Sequence, residues 1–173
     1  MVNVNLSDQM FIEEKFQAFC EKYSLVFPES HIDFLRKYND SEMDSNVING
    51  IDHLGVYVRY FYGTTNDDFS NIAEVYESYI DRMPLKCIPI ADADFGNQIC
   101  MSLQDENYGK IYFWDHEMMD TDYEEKCHLT FNDMVLLADS FEEFLDKIIP
   151  FDAEISTEEE KTLFDRIKNI FKR

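Results

Sequence analysis

The sequence predicts an α+β domain: a largely antiparallel sheet flanked by helices, with an extra amphipathic helix at the C-terminus. Three observations carry this expectation. Apolar residues recur at helical spacing near both ends, at Ile12, Phe16, Phe19 and Tyr23 and again at Leu163, Phe164, Ile167 and Ile170. Between them, short runs rich in Val, Ile, Tyr and Phe follow one another across polar turns, as in an antiparallel meander. Apolar residues make up 45% and aromatics 15% of 173 residues, enough for one domain with a sizeable core and no disulfide or metal support.

Taken in order, Ser7 and Asp8 are candidate caps for a first helix through Tyr23. Pro28 fits the first turn of a second helix, with Ile32, Phe34, Leu35 and Tyr38 on its apolar side. Asn39-Asp40-Ser41 ends it, and the polar, acidic chain to about Asn49 reads as a loop carrying Asp40, Glu42 and Asp44. Leu54 to Tyr62 reads as a strand stopped at Gly63. Ile72, Val75, Tyr76, Tyr79 and Ile80 mark a third helix ending before Pro84.

The strand-like centre follows. Cys87 to Ala91 is short and apolar. Asp92 to Asn97 is rich in turn formers, with Gly96 suited to a positive φ. Ile99, Met101 and Leu103 alternate with Gln98, Cys100 and Ser102, which predicts a half-buried strand. Asn107 to Gly109 makes a turn, and Ile111 to Trp114 a further strand. Met134 to Ala138 reads as a short strand. Ser140 with Glu143 forms a capping-box pattern before a helix from Phe141 to Ile148, which Pro150 stops. Thr157 with Glu160 repeats that pattern before the terminal helix, where acids at the start and bases at the end complement the helix dipole. The expected division is a domain over 8–150 and a helical extension over 151–173.

Charge excludes several functions. Asp and Glu total 36 against 15 Lys and Arg, a formal net charge of -21. That field repels nucleic acid and anionic lipid and draws in basic partners, so neither direct nucleic-acid binding nor membrane binding is expected. No stretch approaches the ~18 apolar residues of a membrane span, and the first residues lack a signal-peptide pattern. Cys20, Cys87, Cys100 and Cys127 form no C-x-x-C pair and read as reduced thiols. The expected location is the cytoplasm.

No chemistry-bearing motif survives inspection. His116 lies between Asp115 and Glu117, where carboxylates can tune a general acid or base, but no nucleophile accompanies it. It reads instead as a strand-end residue bonding a turn. Asp92 and Asp120 each open an acid-rich run, but an EF-hand needs a glutamate at the twelfth position, and there stand Leu103 and Phe131. The remaining histidines, His31, His53 and His128, show no metal-ligand spacing. Neither a metal, a cofactor nor an enzymatic activity is expected. Trp114, the one tryptophan, reads as core rather than as an interface anchor.

Four stretches in order carry a family resemblance. They are Glu21 to Pro28 leading into Phe34 to Asn39, then Ile88-Pro89-Ile90-Ala91-Asp92 with Gly96-Asn97-Gln98-Ile99, then Gly109 to Glu117, then Ala138 to Leu145. The region from Phe11 to Ile149 thereby resembles the SUKH superfamily of fungal cell-wall-synthesis regulators and bacterial immunity proteins. Pro28, Pro89, Asp92, Gly96, Asn97, Gly109 and Trp114 are its structural motif residues here. The family often has glycine after the Tyr-Asn pair, where this chain has Asp40 and Ser41. The resemblance implies an α+β fold and function by protein binding, in bacterial members the neutralisation of a toxin, often a nuclease.

Under that implication the acid-rich stretch becomes the candidate partner surface: Asp115, Glu117, Asp120, Asp122, Glu124 and Glu125, opposed only by Lys126. A nuclease must carry a basic cleft, which an acidic surface can occupy as a phosphate mimic. Asp40, Glu42 and Asp44 are expected to contribute. The alternative is a regulatory or scaffolding module with no toxin partner, docking through its terminal helix. A monomer or weak homodimer is expected.

Overall fold

Helices form where the apolar spacing places them. In the computed structural model, which describes residues 9–51, 54–66, 69–117 and 129–150, α1 spans Glu13–Tyr23 and buries Phe16 and Phe19. Its N-cap is Ile12, which has no capping side chain; the Ile12 amide instead donates to Thr64 Oγ1 at 2.7 Å. Ser7 and Asp8, the expected caps, lie outside the described residues. α2 spans Glu29–Tyr38 directly after Pro28. α3 spans Ile72–Tyr79, with Asn71 Oδ1 accepting from the Ala73 and Glu74 amides. α4 spans Phe141–Lys147.

Among the described residues seven strands pair antiparallel: β1 Glu42–Ile51, β2 Leu54–Phe61, β3 Cys87–Ala93, β4 Gln98–Ser102, β5 Ile111–Trp114, β6 Val135–Ala138 and β7 Ile148–Pro150. Their order across the sheet is β6-β5-β4-β3-β2-β1-β7 among the described residues. The α+β class is therefore as expected, and β3, β4 and β5 form the anticipated meander.

Several local expectations are corrected. Glu42 to Asn49 is strand, not loop: pairing with β2 on one side and β7 on the other overrides its polar composition. Pro150 does not simply stop a helix. The backbone of Ile148 is already extended, and Ile148 to Pro150 pair with Asn46 to Ile48 as an edge strand, a place that tolerates proline. Asp92 is not a turn residue but lies within β3, in register with Tyr60 and Gln98. The capping box of α4 is displaced by one residue. Ser140 Oγ accepts from the Glu143 amide at 3.2 Å, while Glu143 Oε2 accepts from the Asp139 amide at 2.8 Å. The terminal helix and its capping box lie outside the described residues.

β4 is buried on both faces, not one. Side chains alternate along a strand, and here each face has a core. On one face Ile88, Ile99, Met101 and Ile111 meet the helices, where Phe34 and Phe141 pack around Phe61 with ring centroids 4.6 and 6.3 Å away. On the other, Cys87, Cys100, Tyr112 and Trp114 are covered by Met83, Phe131 and Met134. Cys87 and Cys100 are thus buried free thiols, Cys20 is half-buried and free, and Cys127 lies outside the described residues. Burial lifts the Cys20 thiol to about 11 and raises Cys100 as well, so neither is a ready nucleophile.

The missing family glycine has a local remedy. Asn39 itself takes the positive φ, at 40°, which asparagine tolerates better than most residues. Its Oδ1 accepts from the Thr64 amide at 2.9 Å. Gly63 packs so tightly against this corner that a Cβ there would lie 2.5 Å from the Asp40 amide nitrogen. Pro28 and Gly109 also meet, a Cβ on Gly109 falling 3.7 Å from the proline Cγ; Gly109 has φ +79 and closes the β4–β5 turn.

Candidate partner-binding site

The motif residues of the central strands come together at one end of the sheet. Antiparallel pairing puts the β3–β4 turn, Asp94 to Asn97, beside the exit of β5 at Asp115 to Glu117. The turn is a single 3-10 turn over Asp94–Gly96, with φ +64 at Phe95 and +83 at Gly96. Gly96 has no room for a side chain without pressing on the His116 ring, since a Cβ would lie 3.3 Å from His116 Cε1. Asn97 then latches the two segments. Its Oδ1 accepts from the His116 amide at 3.2 Å and lies 3.0 Å from His116 Nδ1. His116 is therefore a strand-end residue tied to a turn.

A polar floor lies beneath. Asp92 is buried and pairs with Arg59 of β2 at 2.9 Å. The Tyr62 hydroxyl donates to Gln98 Oε1 at 2.7 Å, and Gln98 Nε2 donates to the Gly96 carbonyl at 2.9 Å. Burial raises the pKa of the Asp92 carboxyl despite the opposing charge of Arg59. Burial, followed by the charge of Asp92, keeps the Tyr62 hydroxyl protonated. Trp114, 1% exposed, is core as expected; Tyr79 stands edge-on to it and the Arg82 guanidinium lies over it at 5.3 Å. Arg82 also donates to the His116 carbonyl at 3.1 Å.

From this floor the acidic stretch departs. Asp115 is half-buried and its Oδ1 accepts from the Glu117 amide at 3.0 Å; Glu117 is exposed. Asp120, Asp122, Glu124 and Glu125 lie outside the described residues, and the described chain resumes at Leu129. The resumption is also fastened. Thr130 and Asp133 form a reciprocal capping box, and Phe131 packs on Tyr112 at 4.9 Å between centroids.

The second acidic group is placed relative to Asp115 and Glu117 by strand register. Register aligns Glu42, Tyr60, Asp92, Gln98 and Trp114 in one row across the sheet. The row runs through five strands, from Glu42 on β1 to Trp114 on β5. Asp40 precedes Glu42 and lies on the far side of the row from the β3–β4 turn. Asp44 lies within β1.

Sequence reasoning missed Arg59, Tyr62, Arg82 and Phe95 as parts of the site. Arg59 had one visible signal, a cation inside an otherwise apolar strand. Phe95 had another, a bulky aromatic among turn formers. Among the described residues no three His, Cys, Asp or Glu side chains gather to hold a metal ion, and no helix is long and apolar enough to cross a membrane.

Among the described residues, a seven-stranded antiparallel sheet, helices packed on one core and a latched β3–β4 turn define an α+β domain. The model of the SMI1 / KNR4 family (SUKH-1) matches residues 12–147, and the chain belongs to that family. It is also similar to the SPbeta prophage-derived uncharacterized protein YokK of Bacillus subtilis (strain 168). The two are 30% identical over 168 residues, which cover 94% of this chain and 79% of YokK.

Proposed function

We propose that this chain is an immunity protein that binds a cognate protein toxin and blocks it stoichiometrically, without catalysis. The observation that carries this reading is the anchored root of the acidic stretch, Asp115 to Glu117, in a member of the SMI1/KNR4 family with a net charge of -21. A nuclease-type toxin needs a basic cleft to hold phosphates, and close charge pairs across such an interface couple by roughly 1.5–7 kcal/mol. The acids from Asp115 to Glu125 form the contact surface, and their field accelerates encounter with a basic partner. Asp40, Glu42 and Asp44, at and just before the start of β1, contribute further acidic contacts. The protein works in the cytoplasm as a monomer or weak homodimer, with residues 8–150 as the binding domain and 151–173 as an extension.

Co-expression tests this. The toxin encoded beside the gene for this chain arrests growth alone and is tolerated when the chain is present, and the purified pair binds at micromolar concentration or tighter. Growth arrest unrelieved by co-expression, with no binding at that level, refutes the reading.

A further inference from the structure

We infer that Phe95 is the apolar anchor of this acidic surface, inserting into a hydrophobic pocket bordered by basic groups on the partner protein. The inference rests on the reading above that the chain binds a basic protein. Three observations support it. Phe95 is 66% exposed, although the phenylalanines of the helices and sheet are buried or half-buried. It holds φ +64, a conformation that a bulky residue adopts at a free-energy cost and that clusters at binding sites. Glycine or asparagine would adopt the same turn at a lower conformational cost.

The third observation is rigidity. Ala93 N donates to the Asn97 carbonyl at 2.9 Å, Gln98 braces the Gly96 carbonyl, and Asn97 is latched to His116. A side chain on such a turn loses little further freedom on binding, the property that distinguishes interface anchors.

Charge selects the partner. Asp94 flanks Phe95 directly, and Asp115 and Glu117 emerge at the same end of the sheet. Among the described residues, Arg59 is engaged by Asp92, and Arg82 by the Trp114 ring and the His116 carbonyl. An exposed aromatic at the same end of the sheet as these carboxylates is complementary to an apolar pocket among Lys and Arg. Phe69 is more exposed, at 83%, but it stands before α3, away from these acids, and its φ is not positive.

Calorimetry with the purified product of the neighbouring toxin gene, in a catalytically dead form, tests the inference at two salt concentrations, with lysozyme as a generic cationic protein. Phe95→Ala is expected to weaken toxin binding by at least about 30-fold with the salt dependence retained, because an anchor and not a charge is lost. Phe95→Gly removes the strain, so it binds as weakly while its thermal midpoint equals or exceeds that of the parent. The double variant Asp115→Asn, Glu117→Gln flattens the salt dependence instead. Lysozyme binding, if any, is indifferent to Phe95. A parent that binds the toxin together with Phe95 variants within about threefold of it overturns the anchor and leaves the toxin-binding reading standing. A parent that does not bind overturns both.

Discussion

Replacing His31 with leucine is expected to flatten the acid side of this protein's stability curve. His31 stands in the first turn of α2, fully buried, stacked on Phe27 at 5.3 Å and edge-on to Phe141 at 4.9 Å. Neither ring nitrogen has a hydrogen-bond partner. Desolvation lowers its pKa from 6.5 to about 3. The unfolded chain therefore takes up a proton near pH 6.5 that the native chain refuses until about pH 3. Across that window the unfolded state binds more protons, so stability falls as pH drops and levels off only below the native value. From pH 7 to pH 5 the loss from this one group is about 2 kcal/mol. Other groups act in both directions: Asp92 and Asp94, with raised pKa, favour the native state in acid, while Glu77, Asp133 and Glu143, with lowered pKa, favour it less. Those contributions are common to parent and variant and cancel in the difference. Urea unfolding of both proteins at half-unit steps between pH 7 and 5, above the isoelectric point of about 4.3, isolates the His31 slope. At pH 7 leucine should also gain about 1 kcal/mol by removing buried unpaired nitrogens, net of the lost ring stacking. Parallel stability curves for parent and variant would show that the ring is protonated or hydrated in the native state, and the reasoning fails.

Two further predictions concern the polar floor. Arg59→Ala leaves the Asp92 carboxylate buried without its cation; since the Arg59 side chain is 56% exposed, the expected loss at pH 7 is only about 1 kcal/mol. Removing the cation raises the Asp92 pKa further, so the native variant gains protons first on acidification, and chemical denaturation should show the gap to the parent closing below pH 5. Asn97→Ala removes the acceptor shared by the His116 amide and ring; it should cost about 1–2 kcal/mol in global stability and accelerate amide exchange at His116 and Glu117 while leaving the helices protected.

How much of this was legible beforehand divides along sequence separation. Local signals succeeded. The apolar spacing of α1 to α4, the turn glycines Gly96 and Gly109, and the strand positions of β4 and β5 all reflect signals between residues near in sequence. Long-range pairing was not legible. β1 is polar along much of its length and becomes strand because β2 and β7 flank it, information held 100 residues away in Ile148 to Pro150. Arg59 and Asp92 are 33 residues apart, so neither announces the other. Asp92 accordingly read as a turn former, when burial and a cation make it part of a strand. The candidate acids fared likewise: their abundance was plain, but only pairing register puts Glu42 and Trp114 at the two ends of a five-strand row.

The arrangement of charge at the turn gives these corrections a common meaning. Four polar groups under the site are paired internally: Asp92 with Arg59, Tyr62 with Gln98, Gln98 with Gly96, and the His116 carbonyl with Arg82, while the buried Trp114 Nε1 has no hydrogen-bond partner. Each paired group would have to abandon an existing partner to bind a small polar ligand, in a place where an unpaired polar group is costly. The effect of this floor is mechanical. It holds a strained aromatic and the first acids of an eleven-residue acidic run in fixed relation. The ordering cost of an interface is then largely met during folding, and the charges left outside are almost all of one sign. Such a surface fits recognition of a partner by charge together with one apolar pocket, as the proposed function requires.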